Sequence, residues 1–198
     1  VVQYCGKDNT RQQSAMWQAM LMSVGIIPSQ KIVVNGFIMG ADGQKMSKRW
    51  GNVVNPDEML EKYGADAVRM YLAFIGPYNE PGHYPWKLDG VEAMRRFIDR
   101  IYQLSERVVE GEVSPALAKS LAKANVKIES DSNRFKFNTA LSGLMVLVKE
   151  LEACESIPTS AWSSFLIMLA PFAPHLADHL WETVQNEGSV HAAKWPEA

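Results

Sequence analysis

Between Gly76 and Pro85 the chain carries two glycines and three prolines, and the apolar pattern changes period across this segment. Proline lacks the amide proton that helices and inner strands need, so neither pattern can run through it. A boundary is predicted there, between an α/β part, residues 1–80, and an all-α part, residues 81–198.

The first part alternates strand and helix signals. Val1 to Cys5 is a short apolar run, broken by Gly6-Lys7-Asp8-Asn9. Asn9 or Thr10 is placed to cap a helix carrying Met16, Ala19, Met20 and Met22 to about Val24, which Gly25 and Pro28 end. Lys31-Ile32-Val33-Val34-Asn35 is a second strand, apolar on both faces. Strand, helix, strand predicts a parallel pair with a right-handed crossover. Ligands in such sheets sit beyond the carboxyl ends of the strands, where the Gly6–Asn9 turn and the segment after Asn35 both lie. A loop from Gly40 to Asn52 follows, with three glycines and three cations. Pro56 after Asn55 opens a helix through Tyr63, and Ala65 to Phe74 makes another.

The second part reads as helix throughout. Val91, Met94, Phe97, Ile98, Ile101, Leu104 and Val108 follow three- and four-residue steps. Ser114 to Arg134 is polar and predicts a short helix followed by a loop. Phe137, Leu141, Leu144, Met145, Val148 and Leu151 form the next apolar face. Trp162–Ala170 and His175–Gln185 are separated by Pro171 and Pro174, which predict a break. Helices of this length with short links predict an antiparallel bundle, with Trp162, Phe165, Leu166 and Leu169 in its core.

The chain has 198 residues, 47% hydrophobic and 21% charged, which excludes a disordered or fibrous chain. Its net charge of −2 excludes a globally basic nucleic-acid binder, so any such contact must use a local patch. Cys5 and Cys154 read as thiols in a reducing compartment, and a cytoplasmic location is expected. The most apolar run, Phe165 to Pro174, is about half the ~20 residues of a spanning helix. The start Val1-Val2-Gln3, already strand-like and without Met, reads as a cut.

Lys45-Met46-Ser47-Lys48 carries the chemistry. Two ammonium groups three residues apart, in a glycine-flanked loop beyond a parallel strand, suit an anionic leaving group such as a polyphosphate. They act most as charge develops in the transition state. The lysine pair alone reads first as a solvated cationic loop.

Lys45-Met46-Ser47-Lys48-Arg49 resembles the KMSKS signature of the class I aminoacyl-tRNA synthetases, with Arg49 where the family usually has serine. Gly51-Asn52-Val53-Val54-Asn55-Pro56 is similar to that signature's continuation, and Tyr63-Gly64-Ala65-Asp66-Ala67-Val68-Arg69 to the next block. The series runs on through Phe137-Asn138-Thr139-Ala140, Ala170-Pro171-Phe172-Ala173-Pro174-His175-Leu176 and Lys194-Trp195-Pro196. Within the class, Phe74-Ile75-Gly76-Pro77, Trp86-Lys87-Leu88-Asp89-Gly90 and Ser189-Val190-His191 resemble the leucyl branch. Gly6-Lys7-Asp8 and Ser23-Val24-Gly25 resemble the methionyl branch almost as well.

The resemblance implies the end of a Rossmann-type parallel-sheet catalytic domain, then a helical anticodon-stem-binding domain. The family's HIGH motif and editing insert, absent here, lie upstream in its intact members, so this chain alone is expected to be inactive. The implied cofactors are ATP and Mg²⁺; the implied partners are leucine, tRNA(Leu) and the remainder of a synthetase chain. Lys45 and Lys48 would hold the triphosphate, with Lys48 bearing most on the transition state. Ser47 would meet a phosphate oxygen, and the Met46 backbone the adenine. Gly6 and Asp8 match the turn where the family binds adenosine; a plain strand-to-helix turn fits them equally. Asn9 and Gln13 stand where leucyl enzymes often have histidines.

Two basic clusters suit tRNA phosphates: Arg95, Arg96 and Arg100 on one helix, and Lys119, Lys123 and Lys127 with Arg134 and Lys136. Interspersed acids make solvated helix faces an equal reading. His175 and His179, four residues apart, have a metal-sharing spacing, but their flanks follow the synthetase block and no metal is expected. The alternatives are a methionyl, isoleucyl or valyl enzyme, a stand-alone tRNA-binding module and, remotely, a metallohydrolase.

Overall fold

The computed structural model describes residues 1–78, 80, 82–184 and 188–197. The chain divides into two compact units, Val1–Val54 with Gly76–Lys87, and Asn55–Ile75 with Leu88–Ala198. The expected boundary between residues 80 and 81 falls inside the 76–87 segment of the first unit. Among the described residues the strands form three two-stranded parallel sheets.

In the first unit, β1 (Val2–Gly6) pairs in parallel with β2 (Lys31–Asn35), from Val2 opposite Lys31 to Gly6 opposite Asn35. The connecting helix departs from expectation at its start. Neither Asn9 nor Thr10 caps it: Gly6 stays extended, a 3-10 turn at Lys7–Asn9 follows at once, and the Thr10 hydroxyl donates back to the Lys7 carbonyl at 2.9 Å. A wide π-helical turn, Gln12–Met16, leads into α1 (Trp17–Ser23). Gln18 ties this helix to the returning chain, donating to the Gln13 carbonyl at 2.7 Å and accepting from the Ser29 amide at 2.8 Å.

β3 (Phe37–Met39) pairs in parallel with β4 (His83–Pro85), inside the segment expected to be an irregular connection. The prolines hid this strand. Pro85 sits at its end, where the missing donor is harmless, and Trp86 supplies the next bond to the Met39 carbonyl at 2.9 Å.

In the second unit, Asn55 caps α2 (Pro56–Tyr63) by accepting from the Asp57 amide at 3.1 Å, with Pro56 at its first position. α3 spans Ala65–Phe74 and α4 Leu88–Ser105. Val108 was expected on α4 but lies in β5 (Val108–Val109), parallel to β6 (Ile157–Pro158). The expected short helix and loop over 114–134 is instead one helix of 19 residues, α5 (Pro115–Asn133). Ser114 caps it and Pro115 opens it, and a buried stripe of Leu117, Ala124, Asn125 and Ile128 anchors a surface too polar to show clear periodicity. α6 (Phe137–Glu152), α7 (Thr159–Leu169) and α8 (Pro174–Thr183) complete the unit. The chain breaks between α7 and α8 at Pro171–Pro174, as the prolines require. Gln185, the expected end of α8, lies outside the described residues. Trp162, Phe165, Leu166 and Leu169 are fully buried. Among the described residues no helix is long and apolar enough to cross a membrane.

Candidate functional site

The loop after β3 is shaped by short-range hydrogen bonds rather than by packing. Met39 bridges Lys45, and the Gly40 amide donates to the Gln44 carbonyl at 2.8 Å. Asp42 turns the tip by accepting from the Gln44 amide at 3.0 Å, an Asx turn. Asn52 closes the loop: its Oδ1 accepts from the Ser47 amide at 2.8 Å, and its Nδ2 faces both Asp42 carboxylate oxygens at 3.2 and 3.3 Å and the Lys45 carbonyl at 3.4 Å. Gly40 is demanded by this brace, since a Cβ there would meet Asp42 Oδ1 at 2.6 Å and Asn52 Nδ2 at 2.9 Å. Sequence reading missed Asp42 and Asn52 as braces. The signal was the Asp42-Gly43 turn dipeptide, with an asparagine ten residues on to receive it.

Held this way, Lys45 and Lys48 are both exposed, and Met46 and Ser47 are half-buried. The Lys45 ammonium lies 4.6 Å from the centre of the Phe37 ring. Ser47 is extended and caps a 3-10 turn, Lys48–Trp50, its hydroxyl oxygen accepting from the Arg49 amide at 3.3 Å. Its O–H remains able to donate. Arg49 stacks toward Trp50, 5.7 Å from the ring centre.

Gly6 and Asp8 come together at the end of β1. A Cβ on Gly6 would lie 2.7 Å from Asp8 Oδ1, so the carboxylate folds back over the glycine. The residue opposite Gly6 in the pair is Asn35, whose side-chain oxygen is buried without a hydrogen-bond partner among the described residues.

In the second unit the arginine cluster lies on α4, and the lysine cluster on α5 and just after it. Arg95 pairs with Asp99 at 2.9 Å. Arg100 engages both Glu152 oxygens, at 2.8 and 2.7 Å. That bidentate bond raises the Arg100 pKa and holds Glu152 below its ordinary value. Arg96 is exposed. On α5, Lys119, Lys123 and Lys127 recur every four residues along one ridge and are all exposed. Lys127 is drawn to Asp131 at 2.7 Å, and Arg134 to the same carboxylate at 3.0 Å. Burial pushes Asp131 up, but the hydrogen bonds from Lys127 and Thr139 and the charges of Lys127 and Arg134 outweigh it and leave the pKa lowered.

His175 and His179 go separate ways. His175 Nδ1 lies 2.8 Å from Asp66 Oδ1, and Asp66 also accepts from the Leu176 amide at 2.7 Å, capping α8 from α3. His179 stacks on Tyr102 with ring centres 6.3 Å apart. Among the described residues no group of three or more histidines, cysteines, aspartates or glutamates is gathered as a metal site.

Residues 5–81 match the family model of class I tRNA synthetases (I, L, M and V), and residues 116–198 match that of the anticodon-binding domain of tRNA ligases. The chain belongs to the class I tRNA synthetases. Within that family it is similar to leucine–tRNA ligases: 36% identical over 194 residues to that of Chlorobaculum parvum, covering 92% of this chain and 24% of the relative. To that of Bdellovibrio bacteriovorus it is 38% identical over 190 residues, covering 91% and 24%. The chain thus spans about a quarter of the length of these relatives. A crystal structure of the Agrobacterium radiobacter K84 agnB2 LeuRS–tRNA–LeuAMS ternary complex shares its fold, with a TM-score of 0.83 and 28% identity over 98% of this chain and 29% of that one.

Proposed function

We propose that this chain is the later part of a leucine–tRNA ligase. In that reading residues 1–80 end the class I catalytic domain, with the KMSKS loop at Lys45–Arg49. Residues 81–198 are the anticodon-stem-binding bundle, its helices running antiparallel. The intact enzyme activates leucine with ATP, forming leucyl-adenylate, and transfers the leucyl group to tRNA(Leu). The observation that carries the reading is the braced loop: Asn52 fixes the backbone on either side of Met46, and Lys45 and Lys48 are left exposed.

Each assigned residue has a physical task. Lys45 and Lys48 hold the triphosphate, Lys48 gaining most as the departing pyrophosphate accumulates charge. Ser47 donates its O–H to a phosphate oxygen, and the Met46 backbone lies along the adenine. Gly6 allows close approach of the nucleoside and Asp8 accepts from its ribose. Mg²⁺ fits as a companion of the phosphates, a cation that keeps most of its ligands as water and phosphate oxygen. Asp42, the carboxylate of the loop, is already engaged by Asn52 and Gln44 and is not needed as its ligand. The place of work is the cytoplasm, where free thiols such as Cys5 and Cys154 persist.

ATP–pyrophosphate exchange by the full-length protein, run across the apolar amino acids, tests this. Leucine is expected to support exchange. Exchange with isoleucine, valine or methionine instead moves the protein to a sister branch, and no exchange with any of them leaves a tRNA-binding module.

For the tRNA, the α5 ridge is the better phosphate track, because Arg95 and Arg100 are engaged by Asp99 and Glu152. Reversing Lys119 and Lys123 to glutamate is expected to weaken tRNA binding and flatten its dependence on log salt by about 0.7–0.9 per lost contact. Reversing Arg95 and Arg96 is expected to do less. The opposite order assigns the tRNA to α4.

A further inference from the structure

The first lysine of the loop rests on an aromatic ring, and strand register puts it there. Residues two apart on a strand share a face, and so do residues directly opposed across a bridge. Phe37 and Met39 therefore share a face of β3, Met39 bridges Lys45 in antiparallel fashion, and Lys45 lies diagonally across from Phe37. Diagonal neighbours are about 7–8 Å apart, within reach of long and aromatic side chains. The Lys45 ammonium closes that gap and stands 4.6 Å from the Phe37 ring centre. On its other flank Phe37 is paired with His83 of β4, and the two rings meet nearly at right angles, centres 5.6 Å apart and planes at 86°. The ring is half-buried, while Lys45 is exposed.

The kind of partner matters. The loop has one carboxylate, Asp42, three residues before Lys45. An ion pair with it would confine the ammonium but offset its charge and compete with a phosphate. Asp42 is engaged instead by Asn52 Nδ2, at 3.2 and 3.3 Å, and by the Gln44 amide. The face of a ring attracts a cation through its quadrupole and leaves the full charge in place. An ammonium has three N–H donors, so a ring on one side leaves donors for an incoming oxygen on the other. Lysine is also among the costliest side chains to immobilise, and confining it before the ligand arrives removes part of that cost from binding.

We infer that Phe37 is a positioning residue for Lys45: its ring holds the ammonium beside β3, confined but still fully charged, for the triphosphate of ATP. This rests on the ligase reading above and deepens it.

The test measures pyrophosphate exchange by the full-length protein carrying Phe37→Leu or Phe37→Tyr, each also placed in a Lys45→Ala background, beside thermal melting. Phe37→Leu keeps an apolar side chain and removes the ring. It is expected to lower kcat/KM for ATP about 2- to 5-fold, the worth of one exposed cation–π contact, and to leave the KM for leucine unchanged. Phe37→Tyr keeps the ring face and is expected to keep the wild-type values. In the Lys45→Ala background Phe37→Leu is expected to have no further effect, because the group it acts through is gone. If Phe37→Leu fails to fold, Phe37→Met, flexible and apolar, carries the same comparison. An equal loss with and without Lys45 overturns the inference and makes Phe37 a packing residue. A rise in kcat/KM in Phe37→Leu also overturns it, since the ring would then hold Lys45 away from the phosphates. So does an unchanged value in that variant. Absence of leucine-dependent exchange in the wild type overturns the ligase reading instead, so the two failures are distinct.

Discussion

The loop of the first unit and the core of the second are held by opposite means. Residues 40–52 keep their shape through an asparagine, an aspartate and a glycine that make hydrogen bonds within the loop itself, while its lysines stand in water. The core around α7 keeps its shape through burial: Trp162, Phe165, Leu166, Met168 and Leu169 expose nothing. Close packing resists change in volume and transmits strain. A hydrogen-bonded loop yields at small cost and re-forms, which suits the closing on a charged substrate proposed for its lysines. Stability and chemistry are thus assigned to different kinds of residue, and the two can be separated by mutation.

The largest expected effect lies in the core. Phe165→Ala removes a fully buried ring packed 5.1 Å from the Trp162 ring and leaves a cavity. It is expected to cost about 3–5 kcal/mol in denaturant unfolding. A cost below about 1 kcal/mol would mean that the site collapses freely and that the contrast with the loop is wrong.

Next comes the loop's chemistry. Lys48→Ala in the full-length protein is expected to slow pyrophosphate exchange about 10²- to 10³-fold, the usual effect of removing one transition-state donor. Unfolding is expected to stay within about 0.5 kcal/mol of wild type, since Lys48 is exposed. Wild-type exchange would sink the role.

Smaller again is the effect of the brace. Asn52→Ala removes the acceptor of the Ser47 amide and the donor shared by Asp42 and Lys45. Exchange is expected to fall about 5- to 30-fold, equivalent to about 1–2 kcal/mol of positioning. Asn52→Asp keeps the acceptor but places a second carboxylate beside Asp42, and is expected to be no better. Full activity in Asn52→Ala would show that the lysines need no prearranged backbone.

This contrast also governs how much the sequence disclosed. Burial leaves a periodic trace, so α3 and the core side of α4, α6 and α7 were legible from apolar spacing. The lysine pair was legible by type and by resemblance. The brace was not, because an asparagine writes no period and its partners sit five to ten residues away. α5 escaped for a related reason: most of its surface is solvated, and its helicity comes from Ser114, Pro115 and a run of alanines and lysines rather than from a broad apolar stripe. β4 escaped because its strand ends in proline.

The smallest expected effect tests whether the second unit also relies on polar contacts at its surface. Arg100 and Glu152 join α4 to α6, with side chains 43% and 35% exposed. Glu152 is held below its ordinary value of 4.5, first by the hydrogen bond from Arg100, against which burial works, and then by the charges of Arg100, Lys149 and Arg107. A carboxylate whose folded pKa is depressed adds stability that is complete above its unfolded value. That stability is lost as pH falls through the lower folded value. Because the pair is open to solvent, the contribution is about 0.2–1 kcal/mol, and salt reduces it further. Denaturation of wild type and Glu152→Gln is therefore expected to differ by that amount near neutrality and to converge below pH 4.5. Asp131 titrates in the same direction in both proteins, so only the difference between the two curves reports Glu152. A gap that persists unchanged in acid would assign the interaction to the neutral amide's geometry rather than to charge. A gap of several kcal/mol would place a second hydrogen-bonded support beside the apolar core and weaken the division of labour between the two units.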